Sequence, residues 1–523
     1  MCYPLPRMPS PIGTFLARHW RGELPLPASY WGVCVLGNTL FIAAIWAVAL
    51  ALRNEGFHPW LVAGVLGVAW LGALVLLAFQ SVGTWRSAGR YWRQKLGGRL
   101  SAFWAIAART AVIAGILAMG SQFVQVGAPQ LLEAGRMVLF DDPGIPDYSV
   151  RLMRDGTEAE IAGGFKYGLA RDAEKLFAGA PNLKVVHLNS GGGRLGEATR
   201  LAQLIRQRGL STYSSASCSS ACVIAFLAGR ERWLKTGAKL GFHRESFAGI
   251  ESTDAMSKLL LDAGLAPAFV ERAVTTPAGS MWYPTPAELL AAKAITGTVD
   301  DYRFAASGYG SHADALTLAA QLRQTPLFAA IEGADIDTFN AIVDTFYRAY
   351  VEGQPEGRIL DEMRSRRVTP IIMSRLTNAD DALLADYARL MADQYEALGE
   401  RDVTACYRYA ALGADTATVN MLPPALRQRE MELSQRVLGS SVKRPASSPE
   451  QVQPIYRTIS EKLTAQYGGQ QVRLLSDPAR VPPIEYGNYC KLAVALFRTI
   501  AGLPTEQAGE VMSHVFAKSG RQK

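Results

Sequence analysis

The chain has 523 residues, 49% of them hydrophobic and 19% charged, with a formal net charge of +8. This length exceeds what one ordinary core organises, so two or three domains are expected. The basic excess is concentrated near the N-terminus and no basic stripe with interleaved aromatics comes after it, which speaks against a nucleic-acid partner.

Three apolar segments come first: Tyr30 to Leu52, Pro59 to Phe79, and Phe103 to Val126. Each is long enough to cross a bilayer, for which about 20 residues suffice; the other reading is a set of buried helices in a large soluble core. A cleaved signal peptide fits poorly, because the first run starts well inside the chain and two more come after it. Arg109 interrupts the third segment and must either snorkel or mark its true start. The loop after the second segment, "RSAGRYWRQKLGGR", carries Arg86, Arg90, Arg93, Lys95 and Arg99 without an acid, whereas "RNEGFH" between the first two is balanced. The positive-inside rule puts the basic loop, and the tail bearing Arg7, Arg18 and Arg21, in the cytoplasm. Residues 1–29 are then a cytoplasmic tail, 30–128 the membrane region, and the rest of the chain lies outside.

Six cysteines fit this topology. Cys2 and Cys34 belong to the tail and first span; Cys218, Cys222, Cys406 and Cys490 fall on the outer side, where disulfides persist. Cys406 and Cys490 sit in helix-like stretches, "DVTACYRYAAL" and "YGNYCKLAVALF", and either staple two helices or are two buried thiols.

Residues 137–310 alternate strand and helix patterns. "YSVRLM" and "KVVHLNS" read as strands, the second almost continuously apolar. In "RLGEATRLAQLIRQRG", Leu195, Ala198, Leu201, Leu204 and Ile205 share one helical face that closes at Gly209. "LSTYSS" is a further short strand, so the order is βαβ, the pattern of a parallel sheet with helices packed on it. From 311 to 523 the periodicity is helical throughout, with a linker near 438–454 in "GSSVKRPASSPEQVQP".

Two stretches of the α/β region carry chemistry. "LNSGGGRLGEA" ends a buried strand in Gly191, Gly192 and Gly193, whose backbone can turn sharply and present N–H groups to an oxyanion or phosphate; it is neither a P-loop nor a dinucleotide fingerprint, and it can also be only a turn. "SASCSSACVIAFLAG" runs into an apolar helix near Ser220. A serine there either caps the helix or attacks a carbonyl, with the following amide of Ala221 facing the developing charge. Of the histidines in this region, His187 lies within a strand, where a core role is the default. His243 ends "AKLGFH" and runs out into polar "RES", as a cleft-facing base would.

Together, "LNSGGG", "SSACVIAFLAG" and "AKLGFHRE" resemble, in order and spacing, the ClpP/crotonase superfamily: the Clp protease proteolytic subunit, signal peptide peptidase A, and membrane-anchored bacterial periplasmic ClpP-like proteins. The resemblance covers about a third of the chain, residues 145 to 302. It implies a repeated ββα domain, preceded here by the three membrane helices and followed by the all-α region. Matching the family's Ala-Gly ending at Ala228 and Gly229 implies Ser220 as nucleophile, His243 as base, and an oxyanion hole from the amides of Gly192 or Gly193 and Ala221. The family's acid would fall where this chain has Ser280 and Met281, neither of which can steady an imidazolium. Asp254 or Asp262 substitutes, or the site works as a dyad, or it is inactive; a lysine base, Lys235 or Lys239, is less suited.

Cys218 and Cys222, four apart, either bridge the junction between loop and helix, fill a tight site as free thiols, or supply a cysteine nucleophile in place of the serine. No further Cys/His pair has metal-ligand spacing, and neither metal nor cofactor is expected. The resulting expectation is a multi-pass protein of the bacterial inner membrane, N-terminus cytoplasmic and later domains periplasmic, acting as a serine endopeptidase on peptides or proteins. An inactive ClpP-like peptide-binding or scaffold protein and an acyl-CoA enzyme of the crotonase type are the alternatives. Relatives self-associate, which implies a homo-oligomer without setting its number.

Overall fold

The protein is described here from a computed structural model covering residues 11–51, 58–94, 99–311, 313–413, 415–440 and 447–519. Cys2, Arg7, Lys95, the loop 53–57 and part of the expected linker, 441–446, lie outside the described residues. Contacts divide the chain into two compact units, Met1–Arg151 with Ala159–Thr298, and Leu152–Glu158 with Val299–Lys523.

The first unit opens with helix α1 (Pro11–Trp20) and a stretch of π-helix, Ala28–Leu36, that continues into α2 (Gly37–Ala51). Helices α3 (Pro59–Gln94) and α4 (Arg99–Gln122) come next, and α4 runs through Phe123–Gly127 into α5 (Ala128–Leu139). Three of these stretches, Ala28–Val48, Pro59–Gln94 and Phe103–Leu139, are long and apolar enough to cross a membrane. Leu40, Ile42, Trp46, Val68, Leu71 and Val75 on them are exposed, so the helices are not the buried core of a soluble domain; so much contiguous apolar surface calls for lipid. Arg109 is accommodated without leaving the helix. Its guanidinium lies 4.8 Å from the centroid of the Trp85 ring, an attraction strengthened where water is scarce. Gly89 leaves it room, since a Cβ there would come within 2.8 Å of the Arg109 Nη2.

The α/β part has ten strands and six helices: β1 (Tyr148–Met153), β2 (Glu158–Gly163), α6 (Leu169–Ala178), β3 (Val185–Asn189), α7 (Leu195–Gln207), β4 (Ser211–Ser214), β5 (Ser217–Ser219), α8 (Ala221–Phe226), β6 (Arg232–Lys235), β7 (Lys239–Gly241), β8 (Glu245–Phe247), β9 (Ile250–Ser252), α9 (Asp254–Asp262), α10 (Pro267–Thr275), α11 (Pro286–Ala291) and β10 (Gly297–Val299). Six strands form one sheet in the order β1-β2-β3-β4-β6-β10, with β3, β4 and β6 mutually parallel. Val186 to Asn189 are buried, as a parallel strand covered on both faces requires. Helix α7 turns Ala198, Leu201, Ala202 and Ile205 into the core, where Phe165, Phe177, Leu188 and Phe226 join them. A second, two-stranded sheet pairs β5 and β7 in parallel, and β8 and β9 form an antiparallel hairpin.

The second unit is helical apart from its short share of strand. Its long helix Asp381–Arg401 packs against Tyr486–Ala501 and Thr505–Ser519, around a core that includes Phe339, Ile342, Tyr395 and Leu398. Cys406 and Cys490 are joined here, with Cα atoms 6.1 Å apart. The stretch read as a linker is helical from Pro449 onward: Ser448 and Gln451 form a reciprocal capping box that starts the helix Pro449–Tyr467. That serine, proline and glutamine spacing satisfies the orphan N–H groups of a first turn, so the linker closes at Ser448.

Candidate active site

The site is built where β5 ends. Ser217, Cys218 and Ser219 pair with Lys239, Leu240 and Gly241 of β7, and Ser190, just past β3, bridges to Cys218 on the other side. The Ser190 N–H donates to the Ser217 carbonyl at 2.8 Å and the Ser219 N–H to the Ser190 carbonyl at 2.9 Å. Ser219 is buried, its hydroxyl 3.2 Å from that of Ser217. Ser220 then breaks the strand: φ is 57° and ψ is −128°, and α8 starts at the next residue. A non-glycine residue in this region costs roughly 1–3 kcal/mol and persists only when its surroundings force it. Here they do, because its N–H donates to the Gly241 carbonyl at 2.9 Å and a Cys218–Cys222 disulfide, with Cα atoms 5.4 Å apart, straddles it. Bonded to each other, neither sulfur is available as a nucleophile.

The glycine turn closes on this serine. A Cβ on Gly192 (φ 109°) would lie 2.6 Å from the Ser220 Cβ, and one on Gly193 (φ 144°) would lie 2.7 Å from the Phe165 carbonyl oxygen. Both positions therefore require glycine, whereas Gly191 faces open space. The two N–H groups differ. That of Gly192 donates to the Ser190 hydroxyl at 3.0 Å, so it is already committed. Gly193 forms a parallel bridge to Phe165 in which the bonds run through its neighbours, Phe165 N–H to Gly192 O and Arg194 N–H to Phe165 O, each at 2.8 Å. Among the described residues the Gly193 N–H has no acceptor, and neither has that of Ala221 at the first position of α8. Two unengaged amides on either side of a serine suit a developing oxyanion.

His243 lies two residues beyond β7, so the β5–β7 pairing brings Ser220 and His243 out at the same end of the small sheet. The antiparallel bridge of Phe242 to Trp282 fixes the exit. The ring is half-buried, and its Nδ1 is buried with no hydrogen-bond partner among the described residues. Burial pushes its pKa below the ordinary histidine value, opposed by the negative charge of Glu251. Glu251, on β9, accepts from the Ala278 N–H at 3.0 Å and pairs with Arg244 at 2.9 Å. Its negative charge acts on the imidazole, while Asp254 and Asp262, the acids considered from sequence, stand at the two ends of α9. Ser280 donates its N–H to Pro277, and the Met281 sulfur packs beside Gly241. Lys239 sits 5.5 Å over the Tyr283 ring. His187 is buried in β3, edge-on to Tyr213 with centroids 4.7 Å apart.

Sequence reasoning did not single out Asn189. Its Oδ1 accepts from the N–H groups of Ser215 and Ala216 at 3.2 and 3.0 Å, and from the Ser215 hydroxyl at 3.1 Å. This ties the loop before β5 to the end of β3. Among the described residues no group of three or more His, Cys, Asp or Glu is placed to hold a metal ion.

No family model and no curated protein matches the chain. Among solved structures it is similar to ClpP1 from Listeria monocytogenes and to a point mutant of that protein. Each is 15% identical, covering 28% of this chain and 92% of that one, with a TM-score of 0.25. It is also similar to a point mutant of the 1510-N membrane-bound stomatin-specific protease, 18% identical over 27% of this chain and 77% of that one, with a TM-score of 0.22.

Proposed function

We propose that the chain is a membrane-anchored serine endopeptidase of the ClpP-like type, with Ser220 as nucleophile and His243 as base. The observation that carries this reading is the Ser220 backbone, held at φ 57° beside a glycine turn and ahead of a buried helix. A helix cap gains nothing from that conformation, and Ser220 makes no capping hydrogen bond; the strain presents its hydroxyl to a substrate. In the proposed reaction the Ser220 Oγ attacks a peptide carbonyl as His243, through Nε2, takes its proton. The oxyanion is held by the amides of Gly193 and Ala221, and collapse expels the amine with the proton that His243 returns. Water then repeats the sequence on the acyl-enzyme.

The membrane region would anchor the chain in the bacterial inner membrane with the N-terminus cytoplasmic and the catalytic part periplasmic, where Cys218–Cys222 and Cys406–Cys490 would persist. Alkaline phosphatase fused beyond Leu139 should be active, and an inactive fusion would reverse the orientation. Self-association into a ring or stack is part of the same reading.

A fluorophosphonate probe should label the purified full chain, and Ser220→Ala should abolish labelling. No labelling of folded protein would favour the second reading, an inactive peptide-binding or scaffold protein, which the unpartnered His243 Nδ1 supports. Turnover of a CoA thioester would instead point to crotonase-type chemistry.

A further inference from the structure

We infer that the acidic segment joining the third apolar helix to β1 holds the oxyanion turn in its working geometry, with Arg194 and Lys166 as positioning residues. The inference rests on the serine-hydrolase reading of Ser220. The turn consists of two backbone strands, Phe165 and Gly192 to Arg194, bonded to each other. The residue after each bridged position, Phe165 and Gly193, carries a charge, and both charges are engaged by the same segment. The Arg194 guanidinium grips Asp142 with a fork, Nε and Nη2 each 2.6 Å from a carboxylate oxygen, and its Nη2 also reaches Glu133 at 2.7 Å. Lys166 donates to Asp147 at 2.6 Å and lies 3.5 Å from Asp141.

Arg194, Asp142 and Lys166 are each about nine-tenths buried at the side chain, at 12%, 9% and 9% exposure. The Arg194–Asp142 pair, shielded on both sides, is little screened by salt, whereas the Lys166 pairs reach carboxylates that are 70% and 83% exposed and are the weaker hold. Close backbone packing adds to them: a Cβ on Gly163 would lie 2.0 Å from the Asp147 carbonyl oxygen, and one on Gly164 would lie 2.3 Å from the Ile145 side chain. Asp141 and Asp142 both adopt positive φ, 50° and 54°, and the bend leaves the Asp142 carboxylate buried against Arg194 while Asp141 and Asp147 meet Lys166 at the surface. Glu133 belongs to α5, continuous with the third apolar helix. The amide that receives the oxyanion is therefore one residue from a side chain anchored to the membrane stem. An amide displaced by an ångström loses much of its effect on the transition state, for which about a hundredfold is typical.

The test uses the full chain in detergent, with Arg194→Met, Arg194→Lys and Asp142→Asn, the last of which retains the Arg194–Glu133 bond if the first fails to fold. Expected are a fall of about a hundredfold in fluorophosphonate labelling rate and in kcat on a chromogenic ester for Arg194→Met, with KM unchanged. A smaller fall is expected for Arg194→Lys, which keeps charge but not the fork, and for Asp142→Asn. Arg200→Met, which breaks a pair with Glu197 on the same helix, should label as the unaltered chain does. Hydrogen exchange over 164–166 and 191–194 should quicken in the Arg194 and Asp142 variants. Unaltered rates and unaltered exchange would overturn the inference, as would a change confined to KM. If the unaltered chain does not label, the hydrolase reading fails, and exchange at the turn alone decides whether the segment holds it.

Discussion

The α/β part and the helical unit each carry one disulfide, and the two do different physical work. Cys406 and Cys490 are 84 residues apart and join two helices. Closing so long a loop removes entropy from the unfolded chain, on the order of 4–5 kcal/mol in the chain-entropy model. Cys218 and Cys222 are four apart, a loop too short to restrict the unfolded chain much, yet they bracket the one serine held at positive φ among the described residues. By this reasoning the cystine of the helical unit acts chiefly on the unfolded chain, and that of the α/β part on the local backbone around Ser220.

Four changes test that contrast. Ser220→Ala should have the largest effect, a loss of about 10⁴-fold or more in ester hydrolysis with the fold intact by circular dichroism; retained activity would move the nucleophile elsewhere. Gly192→Ala places a Cβ against Ser220 at φ 109°. It should cut the acylation rate by about 10²-fold or more and cost roughly 1–3 kcal/mol of stability, read from denaturant midpoints. Cys490→Ser should lower the stability of the helical unit by about 2–5 kcal/mol while the acylation rate per folded molecule stays put. A fall in that rate would erase the distinction between the cystines.

The smallest effect concerns pH. In the proposed mechanism hydrolysis needs neutral His243, and burial holds its pKa below the ordinary value, so the acid limb of the rate profile should fall below the usual histidine range. Glu251 favours the protonated form and so raises that pKa. Glu251→Gln should therefore shift the acid limb further down, extending activity to lower pH; a shift upward, or none, would separate Glu251 from the base.

Much of the layout was legible because it repeats along the chain. The apolar segments, the alternation around "KVVHLNS" and the face of "RLGEATRLAQLIRQRG" are periodic, and periodicity survives without knowing what packs where. The capping box at Ser448 was equally legible, being a local spacing, but the surrounding serines and prolines read as linker. Strand β5 was not: "SCS" is three residues long and is a strand only because Ser190 and Gly241 stand on either side of it. Nor could the carboxylate whose charge acts on His243 be found from spacing, since Glu251 lies on a hairpin whose two strands are three residues each. Arg109 looked like a flaw in the third apolar segment until Trp85 and Gly89 supplied its surroundings.

The order of amino acids alone was enough for the three apolar helices and the α/β and helical parts, since each comes from composition, period or local backbone preference, whereas Ser220 and His243 were singled out by the family resemblance, which the local patterns only permit. The burial of Ser219 beside a half-buried Ser220, the commitment of the Gly192 amide to Ser190, and the hold of Asp142 on Arg194 came from the folded arrangement. Each of these depends on what a group's neighbours in space leave unpaired, and 52 residues separate Asp142 from Arg194, a distance over which no local rule operates.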